Sequence, residues 1–177
     1  MSSRFFRRSR AVLAALALCG GTAVAVVAAT GGTASASQTL PLPPVYLRAD
    51  SSGLFLDYDA TASGNLVIQA NFNNHDAQQW VIPAAGATGR IRNELSGECL
   101  TTDGTAGDQL YVAPCKARLT NNQRWEVTED APGTLFTNPH FGLVIDVYNG
   151  STSPGSAIDA WYYTGQSNQW FTQYGGS

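Results

Sequence analysis

Tryptophan returns in this chain at a fixed interval. Trp80, Trp125 and Trp170 are 45 residues apart, and each closes a similar triplet: Gln78-Gln79-Trp80, Gln123-Arg124-Trp125 and Asn168-Gln169-Trp170. A second landmark keeps step with the first. It reads Gly53-Leu54-Phe55-Leu56, Gly97-Glu98-Cys99-Leu100 and Gly142-Leu143-Val144-Ile145, with the glycines 44 and 45 residues apart. Two landmarks in register three times mark a tandem repeat, and a unit this short cannot enclose its own apolar side. The three units must share one core. Their texture is β: Leu66–Ala70, Leu110–Val112 and Ile158–Trp161 are short alternating runs bounded by Gly, Asn, Ser, Thr and Pro, and nothing after residue 36 keeps a helical period. Three β units around one interior predict an all-β closed arrangement of approximate threefold symmetry, since closure removes exposed strand edges. Trp80, Trp125 and Trp170 are its expected structural core.

The first 36 residues read differently. Arg4, Arg7, Arg8 and Arg10 precede an apolar run from Ala11 to Ala29, and small residues then lead to Ala34-Ser35-Ala36. That order of charge, apolar run and small residues predicts a signal peptide over residues 1–36. The run is also long enough for an uncleaved membrane anchor, although Gly20 and Gly21 interrupt it. A short Pro-rich lead-in follows at residues 37–44, then one domain at 45–177 with repeats at about 45–85, 86–130 and 131–174.

Removing the signal leaves six basic against thirteen acidic residues, a net charge of −7. Such a balance repels phosphate backbones and excludes nucleic acid as a partner, and no basic run is left to hold a membrane surface. The mature chain is expected to be secreted, extracellular and monomeric, with no cofactor and no metal. Cys99 and Cys115 are its two cysteines. An even count in an exported protein favours one disulfide, which would stabilise the fold by roughly 3 kcal/mol; two free buried thiols are the alternative.

The Q-x-W triplets, the segment Ser96-Gly97-Glu98-Cys99-Leu100 and the period resemble the ricin B-type lectin β-trefoil, over about residues 45–174. The resemblance implies a β-trefoil that binds sugar, with Cys99 paired to Cys115. It also implies one shallow pocket per repeat. Each pocket has an Asp after the second landmark, a Gln and an aromatic residue at alternate positions of a later strand, and an Asn just before the triplet. The chemistry is sound: a carboxylate accepts from two neighbouring hydroxyls, an amide both donates and accepts, and an aromatic face covers the C–H side of a pyranose.

Against that template the first repeat offers Asp57 and Gln69, with Asn71 at the aromatic place and Ala77 at the Asn. The second has Thr101, Tyr111 and Ala113, keeps only Asn122, and is expected to be structural. The third has Asp146, Asp159 where the amide belongs, Trp161 as platform, and Ser167 at the Asn place beside Asn168. Alternation turns Trp161 outward while Ile158 and Ala160 face the core. The third repeat is therefore the expected main site, through Asp146, Asp159, Trp161 and Asn168, with Asp57, Gln69 and Asn71 as a candidate second one. Two carboxylates in one pocket would accept hydrogen bonds without donating any. The other function this pattern allows is a degenerate trefoil that binds protein, such as a protease inhibitor. An enzyme is not expected: His75 and His140 stand without a nucleophile, and Glu94 and Glu98 flank a turn-like Ser-Gly step.

Overall fold

The computed structural model describes residues 42–61 and 65–175. The expected signal peptide and residues 37–41 of the lead-in lie outside the described residues. Thirteen strands and no α-helix occur among those described. In the first repeat they are β1 (Val45–Ala49), β2 (Phe55–Tyr58), β3 (Val67–Ala70) and β4 (Gln79–Val81). The second has β5 (Thr88–Gly89), β6 (Arg92–Asn93), β7 (Cys99–Thr101), β8 (Tyr111–Ala113) and β9 (Trp125–Asp130). The third has β10 (Gly133–Asn138), β11 (Leu143–Val147), β12 (Ile158–Tyr162) and β13 (Phe171–Gly175). The first and last strands pair antiparallel from Val45–Gly175 to Ala49–Phe171, which closes the sheet on itself.

The threefold relation can be followed bond by bond. Gly53, Gly97 and Gly142 hold φ of +74°, +69° and +70°, a left-handed turn that an L side chain resists. Each donates its N–H four residues back, to the carbonyls of Ala49, Asn93 and Asn138. Three hairpins follow: β2–β3, β7–β8 and β11–β12. The returning strand of each bonds a loop of a neighbouring repeat. Gln69 N–H donates to Ser156 O, Val112 N–H to Asn65 O and Ala160 N–H to Asp108 O, at 2.9, 2.9 and 3.2 Å. Every repeat thus leans on another in a closed ring, so none is complete alone.

The shared interior contains Leu47, Leu56, Trp80, Leu100, Trp125, Ile145, Ile158 and Phe171 from all three repeats. The Trp80 and Trp125 indoles each donate to the carbonyl of the second landmark's last residue, Leu56 O at 3.2 Å and Leu100 O at 3.0 Å. The third repeat departs from this. Trp170 is buried, yet it packs edge-on against Tyr163, and the place in the central cluster goes to Phe171. Cys99 and Cys115 are joined in a disulfide with Cα atoms 5.0 Å apart. Phe55 and Val144 stand where Cys99 does in the other repeats.

Candidate functional site

Three short 3-10 turns, Asp76–Gln78, Asn121–Gln123 and Ser167–Gln169, each end on a glutamine. Each glutamine does the same job. Its Nε2 donates to the residue four after the landmark glycine: Asp57 Oδ2 at 2.9 Å, Thr101 Oγ1 at 3.1 Å and Asp146 Oδ2 at 2.7 Å. Its Oε1 accepts a backbone N–H from Asn73, Lys116 or Thr164. Gln169, not Asn168, is therefore the partner of Gln78 and Gln123. The third triplet is Gln169-Trp170-Phe171, one residue later than the tryptophan spacing indicates. This corrects the reading of Ser167 as the residue at the Asn place: Asn168 holds it, and Asn168 Nδ2 donates to both Asp146 oxygens at 2.9 Å.

The strand register moves one further assignment. β11–β12 sets Asp146 opposite Asp159 and Val144 opposite Trp161. β2–β3 sets Asp57 opposite Ile68 and Phe55 opposite Ala70. Ile68 and Ala70, rather than Gln69 and Asn71, hold the places of Asp159 and Trp161. Gln69 points inward and is fully buried. Its amide is satisfied internally: Oε1 accepts from Ser52 Oγ at 2.7 Å, and Nε2 donates to Ser151 O and Ser153 O at 2.8 and 3.0 Å. It locks the first repeat to the third and offers nothing to a ligand. Asn71 is exposed and lies outside the hollow around Asp57.

That first-repeat hollow holds about 340 Å³ and is walled by Asp57, Tyr58, Asn73, His75 and Leu95, with Ala70 of β3 in the place of Trp161. Burial raises the Asp57 carboxyl above the ordinary range; the Gln78 bond opposes this, nearby Asp59 adds to it, and Asn73 and His75 lower it again. Asn73 and His75 were invisible as wall residues in the sequence, because they sit in a polar loop with no period. In the second repeat Tyr111 takes the place of Asp159 and donates to Asp103 at 2.7 Å, and burial and that carboxylate push its hydroxyl up to about 12.

The third repeat brings its four expected residues together. Asp146, Asp159, Trp161 and Asn168 line one cleft of about 720 Å³. Trp161 is 41% exposed, a large cost for an indole without a partner. It lies over Gly107 of the second repeat, whose φ is +92° and whose missing Cβ would come within 3.1 Å of the ring. Ala106, Gly107 and Asp108 complete the wall alongside β12, to which Gly107 and Asp108 are hydrogen-bonded through Ala160. Their part follows from the inter-repeat ring and has no local sequence signal.

The two aspartates differ. Asp146 is held by Asn168 and Gln169, whose bonds oppose the upward push of burial on its carboxyl. Asp159 is almost wholly buried, and its Oδ1 has no hydrogen-bond partner. Burial, then the like charge of Asp146, push its carboxyl up to about 7, against a lowering backbone bond. A carboxyl raised in this way favours its protonated form, in which it can donate as well as accept.

The family model described as the ricin-type beta-trefoil lectin domain matches residues 43–171. A search of curated proteins finds no match. Among solved structures, a designed threefold-symmetric protein, ThreeFoil, aligns with TM-score 0.65 and 26% identity, covering 73% of this chain and 96% of that one. An exo-β-1,3-galactanase from Clostridium thermocellum aligns with TM-score 0.68 and 26% identity over 78% of this chain, which spans only 31% of the enzyme. The C-terminal half of an earthworm R-type lectin, solved with GalNAc, aligns with TM-score 0.61 and 19% identity over 76% of this chain and 99% of that half.

Proposed function

From its membership of the ricin-type β-trefoil lectin family, we propose that this chain is a secreted sugar-binding protein whose main site is the third-repeat cleft. The family and its lectin neighbours support carbohydrate binding in general. The observation that carries the finer reading is Trp161, exposed beside a carboxylate already oriented by Asn168 and Gln169. A pyranose laid on that indole buries its C–H face while neighbouring hydroxyls reach the two carboxyls. The cleft's own residues offer a carboxylate, an amide and an aromatic face to one ligand. The first-repeat hollow keeps the acid, has Ala70 in the place of Trp161 and is the weaker second site. The second repeat serves the fold.

One shallow cleft of this kind binds weakly: a millimolar constant corresponds to about −4 kcal/mol. Retention on a repetitive polysaccharide tests the assignment. The wild-type protein should be retarded and Trp161→Ala should not, with the melting temperature nearly unchanged because Trp161 stands outside the core. Equal retardation of both proteins removes the third repeat from the site. The signal at residues 1–36 is tested separately, by sequencing the N-terminus of the exported protein.

A further inference from the structure

The third-repeat cleft differs from its counterparts in charge, and the difference points to a class of sugar. Asp108, Asp146 and Asp159 line it, and no lysine or arginine does. At the place of Asp159 the other repeats carry Ile68 and Tyr111. Asp159 is 2% exposed, faces Asp146 across the strand pair, and leaves its Oδ1 without a partner. Asp146 accepts three bonds from Asn168 and Gln169, which leaves it about one of a carboxylate's four acceptor positions. Two adjacent buried carboxyls repel one another, and a cation placed between them relieves that repulsion. No group of three or more His, Cys, Asp or Glu suited to a metal ion occurs among the described residues. A compact organic cation suits the pair better, because an ammonium has three donors to share between two acids.

We propose that this cleft selects a sugar carrying a free, protonated amine, a hexosamine unit, with the ammonium between Asp146 and Asp159 and the ring's C–H face on Trp161. The inference rests on the sugar-binding reading above and adds the ligand class. It predicts a pH signature. The charged and titratable groups around Asp159 are Asp146 on β11, Asp108 on the second-repeat loop that bonds β12, and Tyr148. None is cationic. Burial and the like charge of Asp146 push the Asp159 carboxyl up to about 7. An ammonium pulls it back to the ionised form, so hexosamine binding releases a proton and strengthens as pH rises toward 7. A neutral sugar instead loses a donor over the same interval.

Calorimetric titration of the purified protein with glucosamine and galactosamine, each beside its N-acetyl counterpart, at about pH 5 and about pH 7, tests this. The free amine of at least one pair should bind about tenfold tighter than the acetylated form at the higher pH, and this preference should shrink at the lower. Asp159→Asn should lose the preference of amine over acetamide, and an unchanged circular dichroism spectrum shows that the variant is folded. Equal binding of amine and acetamide at the higher pH overturns the inference and leaves the sugar-binding reading standing. So does an Asp159→Asn protein with its preference intact, or binding that requires added Ca²⁺. Failure to bind any sugar overturns both.

Discussion

Asp57 and Asp146 occupy the same step of the same motif, four residues after a left-handed glycine, and both accept from the glutamine that ends the following 3-10 turn. One faces a hollow with no counterpart of Trp161; the other opens on a cleft beside that exposed indole. The second repeat supplies the control: Thr101 accepts the same glutamine bond through a hydroxyl. The bond from glutamine to the acid position is therefore a requirement of the fold, and an aspartate there does not by itself announce a site. What separates the repeats is the outward residue of the returning strand, Trp161 in the third against Ala70 in the first and Ala113 in the second.

The largest test of this equivalence concerns the core. Phe171, in the place of Trp80 and Trp125, should cost about 3–5 kcal/mol when changed to alanine, as should Trp125→Ala. Trp170→Ala, at the margin of the cluster, should cost clearly less, about 1–2 kcal/mol. Urea denaturation midpoints of the three variants decide it; a Trp170→Ala loss as large as that of Trp125→Ala restores the simple 45-residue register. Next comes Trp161→Ala. It should weaken polysaccharide binding by about 2 kcal/mol, roughly thirtyfold, while shifting the denaturation midpoint little. The same test at the first repeat, Asp57→Asn, should leave binding close to wild type.

The fold was legible because its signals repeat. Glycines, triplets and β texture at one period leave few alternatives to a closed threefold arrangement, and the alternation at Ile158–Trp161 turned the platform outward correctly. Two one-residue offsets were not legible. In Leu66-Val67-Ile68-Gln69-Ala70 apolar residues stand at both parities, so alternation has no preferred phase there. The pairing of Asp57 with Ile68 settles it, and a slip of one residue exchanges every inward and outward side chain. In Gln169-Trp170-Phe171 either aromatic could fill the core. The step from acid position to glutamine is 21, 22 and 23 residues in the three repeats, so the tryptophans stay evenly spaced while the loops between do not. The neighbour's wall, Ala106 to Asp108, depends on ring closure between repeats, which no local pattern encodes.

Charge offers a third way to separate the two acid sites. The Asp159 carboxyl lies near 7 when folded and near 3.8 as an ordinary aspartate. A carboxyl raised by folding stabilises the native state fully below its unfolded value and loses that contribution as pH rises through the folded one. Without ligand, the protein should thus lose at least about 1 kcal/mol of this contribution between about pH 4 and about pH 7. Asp159→Asn should flatten that part of the stability profile, which denaturation at a series of pH values measures. An unchanged slope in the variant would assign the effect to Asp57 and Asp146, whose carboxyls burial also raises, and would remove the distinction between the two acids of the cleft.

The smallest effect concerns the second repeat. Gly107 belongs to the second repeat, yet its N–H donates to Ala160 O at 2.8 Å and its bare Cα lets the Trp161 ring settle against it. Gly107→Ala adds a methyl 3.1 Å from the ring at a φ of +92°. The backbone term should cost about 1 kcal/mol of stability. Displacement of the indole should weaken binding a few-fold, less than removing it. If the platform were an isolated feature of the third repeat, this change would lower the denaturation midpoint and leave sugar affinity untouched. A parallel loss in both would show that the cleft is held in shape by the neighbouring repeat. That makes the degenerate second repeat a structural part of the site rather than a failed copy of it.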